Sequence, residues 1–368
     1  MDSKVYFINL RATSRENLIK KLGRLLDTAG LSGCINKRDL VAVKLHFGEM
    51  GNTAFIRPIF LKKIVEKIKN VGGTPFLTDA NTLYSGTRSD SPHHLATAIQ
   101  NGFPYSVVQA PVIIADGLRG KSETAVRIDQ KNFKKAYIGS EIFEADALVS
   151  VAHFKGHELS GFGGTIKNLG MGCASRKGKL AQHSTVSPKI IRKKCVGCGD
   201  CVEHCSQNAI SLVEEKAIIN PEKCIGCGEC ILICSTEAVQ VQWNQQIPVF
   251  LEKMVEYTMG VLKEKKGKTL FVNFITDVSP ACDCYDYNDA PIVKDIGILA
   301  SSDPVAIDQA SVDLVNGEPG LSGTRLKAKT DSGTDKFRAI YPNVDWKIQL
   351  DYAQSIGLGS CEYELEKI

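Results

Sequence analysis

The sequence predicts an α/β protein with a mostly parallel sheet, split by a small unit of different character. Two observations carry this. Short apolar strands alternate with helices of roughly 12–15 residues, the pattern of a parallel sheet, and eight of the thirteen cysteines fall between Cys195 and Cys234. With 368 residues, 43% hydrophobic and 23% charged, the chain can bury a large core and form two or three compact units. A formal charge of +4 is too small for the basic footprint of a nucleic-acid-binding protein.

Residues 5–9 read as the first strand, and Ser14 as the cap of a helix reaching to about residue 28. Residues 40–45 form a strand that is apolar on both faces apart from Lys44. Pro58 suits the first turn of a helix that runs to about residue 70 and stops at Gly72-Gly73. Strands follow at 75–78 and 147–152. The pattern resumes later with a helix over 249–263, a strand over 269–275 and a helix starting at Asp303-Pro304. No stretch reaches the ~18 apolar residues of a membrane span, and residues 5–10 are too few for a secretory signal. The expectation is a soluble, cytoplasmic protein with neither membrane nor nucleic-acid partners, where dense cysteines point to metal rather than disulfides.

Residues 188–243 stand apart. Lys194-Cys-Val-Gly-Cys-Gly-Asp-Cys201 recurs 29 positions later as Lys223-Cys-Ile-Gly-Cys-Gly-Glu-Cys230, and Ser206, Ala209 and Ile210 correspond to Ser235, Ala238 and Val239. Such self-similarity means two copies of one small unit. With one Trp and neither Phe nor Tyr, this segment is too poor in apolar bulk to hold itself together. It is expected to be an insert between two halves, 1–187 and 244–368, of one α/β host domain.

Each copy has four cysteines, Cys195, Cys198, Cys201 and Cys205, then Cys224, Cys227, Cys230 and Cys234. Thiolates two residues apart can wrap one compact cluster, with Gly197 and Gly226 permitting the tight backbone. The spacing resembles that of bacterial-type two-cluster ferredoxins, in which the fourth cysteine serves the opposite cluster. The resemblance covers the insert only. It implies an α+β unit in which Cys195, Cys198, Cys201 and Cys234 hold one [4Fe-4S] cluster and Cys205, Cys224, Cys227 and Cys230 the other. Ser206 and Ser235 stand where that pattern has proline, and a serine hydroxyl could raise the potential by bonding to cluster sulfur. Two structural zinc sites would also use eight cysteines, but zinc units usually pair widely separated C-x-x-C motifs. No cysteine triplet spaced x3 then x2, as a radical S-adenosylmethionine cluster requires, occurs anywhere.

Outside the repeat, residues 151–187 follow an apolar strand and hold seven glycines and five Lys or Arg against one Glu, with a glycine-rich loop from His153 to Cys173. It can present backbone N–H groups to an anion, or it is simply a tight solvated loop. No dinucleotide or P-loop fingerprint is present. Strand C-terminal ends are where open α/β sheets bind ligands, so His46, His157, Gly163 and Gly164 are candidate cofactor-binding residues. Lys155, Lys167 and His153 are candidates for charge or proton transfer. Cys282 and Cys284, spaced by one residue, could join Cys173 in a third metal centre or a redox-active thiol group, or all three could be ordinary buried thiols.

Taken together, His46-Phe-Gly-Glu49, His153-Phe-Lys-Gly-His157, Lys167-Asn-Leu-Gly170 and Asp303-Pro-Val-Ala-Ile-Asp308 resemble the family called domain of unknown function 362. That resemblance spans nearly the whole chain and implies an α/β iron–sulfur protein without fixing a reaction. The expected function is an oxidoreductase-like electron-transfer protein, passing single electrons through two [4Fe-4S] clusters to or from a host-domain site that takes a small-molecule or anionic substrate. The alternatives are a ferredoxin-like carrier whose host domain docks a redox partner protein, and a metal or cluster scaffold using Cys173, Cys282 and Cys284.

Overall fold

The computed structural model describes residues 3–84, 86–183, 187–205, 207–224, 229–240, 242 and 246–368. Eight strands form one central sheet: β1 (Ser3–Asn9), β2 (Leu40–Lys44), β3 (Thr74–Asp79), β4 (Val112–Ile114), β5 (Ala147–His153), β6 (Thr269–Ile275), β7 (Gly297–Ser301) and β8 (Tyr363–Lys367). Their order is β8-β1-β7-β6-β5-β2-β3-β4. Only the two pairings made by β7 are antiparallel. The sheet is therefore mostly parallel, as expected. The antiparallel strand has a local cause: no helix lies between β6 and β7, so the chain returns directly instead of crossing over.

Alternate strand residues feed two different cores. Val41 and Val43 of β2, Val149 and Val151 of β5, and Val272 and Phe274 of β6 pack with the helices Leu18–Thr28 and Pro58–Asn70. Ala42, Leu148 and Phe271 face the other way, towards the helices Ile247–Leu262 and Pro304–Gly317. A sheet covered on both faces explains strands that are apolar throughout. The first helix starts at Leu18, with Asn17 as its cap, rather than at Ser14. Thr13 and Glu16 close a turn of their own, which delays the helix by a turn.

The connections leave β2 in opposite directions: β3 lies on one side of it and β5 on the other. That reversal opens a crevice at the C-terminal ends of the strands.

The cysteine segment forms only short elements. Lys189–Ile190 pairs antiparallel with Val239–Gln240, and Ile210–Val213 forms a hairpin with Lys216–Ile219. Its apolar cluster is small, comprising Ile210, Ala217, Ile231, Ala238 and Val239 around Cys195, Cys201 and Cys230, and it is completed by Leu83 and Leu180 from elsewhere in the chain. Gly197 sits at φ +74°, where a Cβ would come within 2.3 Å of the Glu215 carbonyl, so glycine is required for the hairpin to close over the first cysteine run. Gly226, Cys227 and Ser206 lie outside the described residues. Among the described residues, no helix is long and apolar enough to cross a membrane.

Candidate functional site

A cavity of about 500 Å³ opens at the C-terminal ends of the parallel strands. That size suits a small-molecule ligand. Lys44 ends β2 and His46 follows it, Asp79 ends β3, and His153 ends β5; all four line the cavity. The loop after β6 brings in Cys284, and the helix Thr165–Gly170 brings in Lys167 and Asn168.

Cys282 and Cys284 face one another at 2.7 Å between sulfurs. The Lys167 ammonium donates to Cys282 Sγ at 3.0 Å, and the Cys284 N–H points at the same sulfur at 3.4 Å. The tautomer of His157 is set by its surroundings: Leu159 and Ser160 N–H both donate to its Nδ1 at 3.2 Å, so Nε2 carries the proton. His46 repeats the device, accepting from Gly48 N–H on Nδ1 at 3.0 Å and turning Nε2 towards Cys284 Sγ at 3.5 Å. Burial, then the nearby Arg88, hold His46 well below its ordinary pKa, so the ring is neutral.

Hydrogen bonding with Cys284 is the largest influence on Cys282. Lys167, His157 and Lys155 add to it and outweigh burial, so the Cys282 thiol lies well below its usual value. Cys284, bonded to that sulfur and buried, moves well above it. One ligand-type atom from each of His46, Cys282 and Cys284 lies within 4.8 Å of the others. Holding a cation there would require the lone pair on His46 Nε2, which the Gly48 N–H opposes by occupying Nδ1. Cys173 is not part of this group; it is buried in the core beneath the sheet, 3.8 Å from the Asn168 carbonyl. Burial pushes its thiol up to about 11.

The other candidates hold the site's shape. His153 is engaged at both ring nitrogens, Nδ1 with Asp283 at 2.9 Å and Nε2 with the Thr276 carbonyl at 2.8 Å. Lys155 pairs with Asp283 at 3.0 Å. Although burial opposes it, His153 and Lys155 hold the Asp283 carboxyl far below the usual range. Gly163 and Gly164 line the cavity but do not offer the adjacent N–H groups to an anion. Asp308 accepts from Thr165 N–H at 2.7 Å and Ile166 N–H at 2.9 Å, and a Cβ on Gly164 would meet its carboxylate at 2.3 Å. The expected anion cradle is thus filled by a carboxylate of the chain itself.

Lys44 is fully buried and bonded to Asp79 at 3.0 Å and to Asn168 Oδ1 at 2.9 Å. Asn168 also donates to Ser150 Oγ at 2.9 Å, which ties β2 to β5 across the reversal. Arg88 pairs with Glu49 at 3.1 Å and bonds to Tyr84 Oη at 2.6 Å. Lys179 faces the cavity with the Ala174 carbonyl as its hydrogen-bond partner, and burial lowers its pKa. Sequence reasoning missed Arg88, Tyr84 and Lys179. Lys44 had left a signal, as the lone charge in an apolar strand.

In the cysteine segment, Cys195, Cys198 and Cys201 of the first copy and Cys234 of the second line one small recess. Matched bonds mark the two copies: Ala209 N–H to Cys205 Sγ and Ala238 N–H to Cys234 Sγ, both at 3.2 Å. Of the other four cysteines of the repeat, Cys205, Cys224 and Cys230 are described and Cys227 is not.

The family described as domain of unknown function (DUF362) matches residues 41–313. Among solved structures, the chain is similar to the lactate racemase apoprotein from Thermoanaerobacterium thermosaccharolyticum at 14% identity and a TM-score of 0.37, over 74% of this chain and 51% of that one. It is also similar to a protein from Thermotoga maritima at 10% identity and a TM-score of 0.38, over 70% of this chain and 50% of that one. The chain spans about half the length of these two structures. No curated protein matches it.

Proposed function

This chain belongs to the domain of unknown function 362 family, and from that premise we propose that it is an iron–sulfur redox protein, passing single electrons through two [4Fe-4S] clusters to or from the cavity at the sheet edge. The observation that supports this is the recess shared by Cys195, Cys198, Cys201 and Cys234. Three thiols from one copy and the last thiol of the other make up the crossed set that the ferredoxin resemblance implies. The donor chemistry fits: four sulfurs meet with backbone N–H groups beside them, and no Lys, Arg or His side chain lines the recess among the described residues. Cys205, Cys224, Cys227 and Cys230 would hold the second cluster. Bound clusters supply one-electron transfer at potentials set by hydrogen bonds and burial.

The chain's own residues do the rest. Leu83 packs in the apolar cluster of the cysteine segment and also lines the cavity, so the two sites share a wall. Cys198, with Val196 at 66% and Leu212 at 43% exposure, faces solvent and offers a contact for a redox partner protein. The same rim would serve a plain carrier, in which case no small molecule would reoxidise the reduced protein.

The test is anaerobic purification with iron and sulfide analysis. About eight irons per chain and a reduced-state paramagnetic signal are expected. Two zinc ions and no colour would refute the proposal.

A further inference from the structure

We propose that the host-domain end of the electron path is the pair Cys282 and Cys284, cycling between two thiols and a disulfide, with Cys284 as the sulfur that exchanges with small disulfides entering the cavity. The pair and its exchange stand on the geometry of their turn; the supply of electrons from clusters rests on the iron–sulfur reading above.

The fold holds the two sulfurs together from several sides. Cys282 to Tyr285 form a tight turn, closed by the Tyr285 N–H on the Cys282 carbonyl at 3.2 Å. The side chain between the cysteines is engaged elsewhere: Asp283 binds His153 at 2.9 Å and Lys155 at 3.0 Å. The Asp283 carbonyl accepts from Glu49 N–H at 3.0 Å, and the Cys284 carbonyl accepts from Tyr84 Oη at 3.0 Å. The turn thus pinned leaves the sulfurs 2.7 Å apart. That gap is about 0.7 Å longer than a disulfide bond, so closing it takes little movement. With a single residue between the cysteines the ring is small and strained, and strained disulfides are the readily reduced, catalytic kind rather than the structural kind.

Access assigns the roles. Cys284 lines the cavity and is partly exposed, whereas Cys282 does not line it and is 1% exposed. The Cys284 sulfur attacks one sulfur of the incoming disulfide, so that a mixed disulfide forms and the other sulfur leaves. The Cys282 sulfur, beside the Lys167 ammonium at 3.0 Å, then attacks Cys284, expels the second sulfur and closes the internal disulfide. The thiol protons of the pair end on the two departing sulfurs, and two electrons have passed to the ligand. Two one-electron transfers, one from each reduced cluster, with two protons from water, return the pair to thiols. The route between the two regions is short: Leu83 belongs to the apolar cluster that includes Cys195, Cys201 and Cys230, and the next residue, Tyr84, is the one bonded to the Cys284 carbonyl.

Residues 269–294 form one tryptic peptide that holds Cys282 and Cys284 and none of the other cysteines, so the state of the pair can be read by mass. The anaerobic protein is equilibrated in glutathione redox buffers, quenched in acid, labelled with N-ethylmaleimide in denaturant and digested, with iron counted in the same samples. The expected result is a passage from two labels to none in one two-electron step, the unlabelled peptide being lighter than the dithiol by two hydrogens. Cys282→Ser should trap glutathione on Cys284, whereas Cys284→Ser should leave Cys282 unmodified. Two labels persisting across all buffers would overturn the pair. So would glutathione carried on both cysteines, or a bound metal that blocks oxidation until chelated. Reduced methyl viologen, a one-electron donor, should restore both labels in the iron-loaded protein, and iron present with the disulfide unreduced would overturn the electron route. A protein without iron would defeat the cluster reading and that route with it, while the glutathione titration still decides the pair.

Discussion

The recess formed by Cys195, Cys198, Cys201 and Cys234 and the facing pair Cys282 and Cys284 gather the same side chain by opposite means. In the recess, sulfurs from two sequence repeats meet among glycines and small apolar residues, with backbone N–H groups as their nearest donors. Burial, then the charges of Cys234, Cys198 and Cys195, push the Cys201 thiol up to about 11. At the sheet edge an ammonium and an imidazole are already in place beside Cys282. Sulfurs crowded without a neighbouring cation call for one from outside. Local charge, more than cysteine count, sets the two sulfur groups apart.

The largest expected effect would break this comparison outright. Cys234→Ala should remove about half of the iron, because it takes one ligand from a four-thiolate set. Cys282→Ala should leave the iron unchanged. Metal analysis of the two variants decides, and equal losses would mean that the two regions do not differ as argued.

Next in size is Asp283→Ala, which strips the partner from His153 and Lys155. Leaving buried cations unpaired should cost about 3–5 kcal/mol, measured by denaturant unfolding, with no change in iron. The scaffold at the sheet edge is built from buried ions, and that of the recess is not.

The smallest effect is a pH slope. Burial raises Asp116 to about 6, and one of its oxygens lacks a partner. A carboxyl raised in the folded state favours folding below its unfolded pKa near 4, and this advantage is lost as pH rises through 6. Asp116→Asn should therefore flatten the decline in unfolding free energy between pH 4 and pH 6 by roughly 2–3 kcal/mol.

The sequence was most legible where physics acts locally. Apolar runs and Pro58 marked strands and helices, and Lys44 was conspicuous in its strand. The pair Cys282 and Cys284 was visible from spacing alone. Their partners were not, because Lys167 lies 115 positions from Cys282 and His46 lies 238 from Cys284. Cys173 shared a residue type with that pair, but its place under the sheet left it with core neighbours. Arg88 and Lys179 sit where no periodicity or spacing singles them out. The glycines of the cationic loop suggested backbone N–H groups open to an anion, whereas those of Thr165 and Ile166 are taken by Asp308.

That carboxylate has a wider consequence. Asp308 stands on the helix Pro304–Gly317 yet sets the start of the short helix that carries Lys167. The aim of that lysine is thus delegated to a position far along the chain and out of reach of the thiol. Altering residue 308 should shift that lysine, so the chemistry of the crevice can be adjusted from a position that does not itself line it.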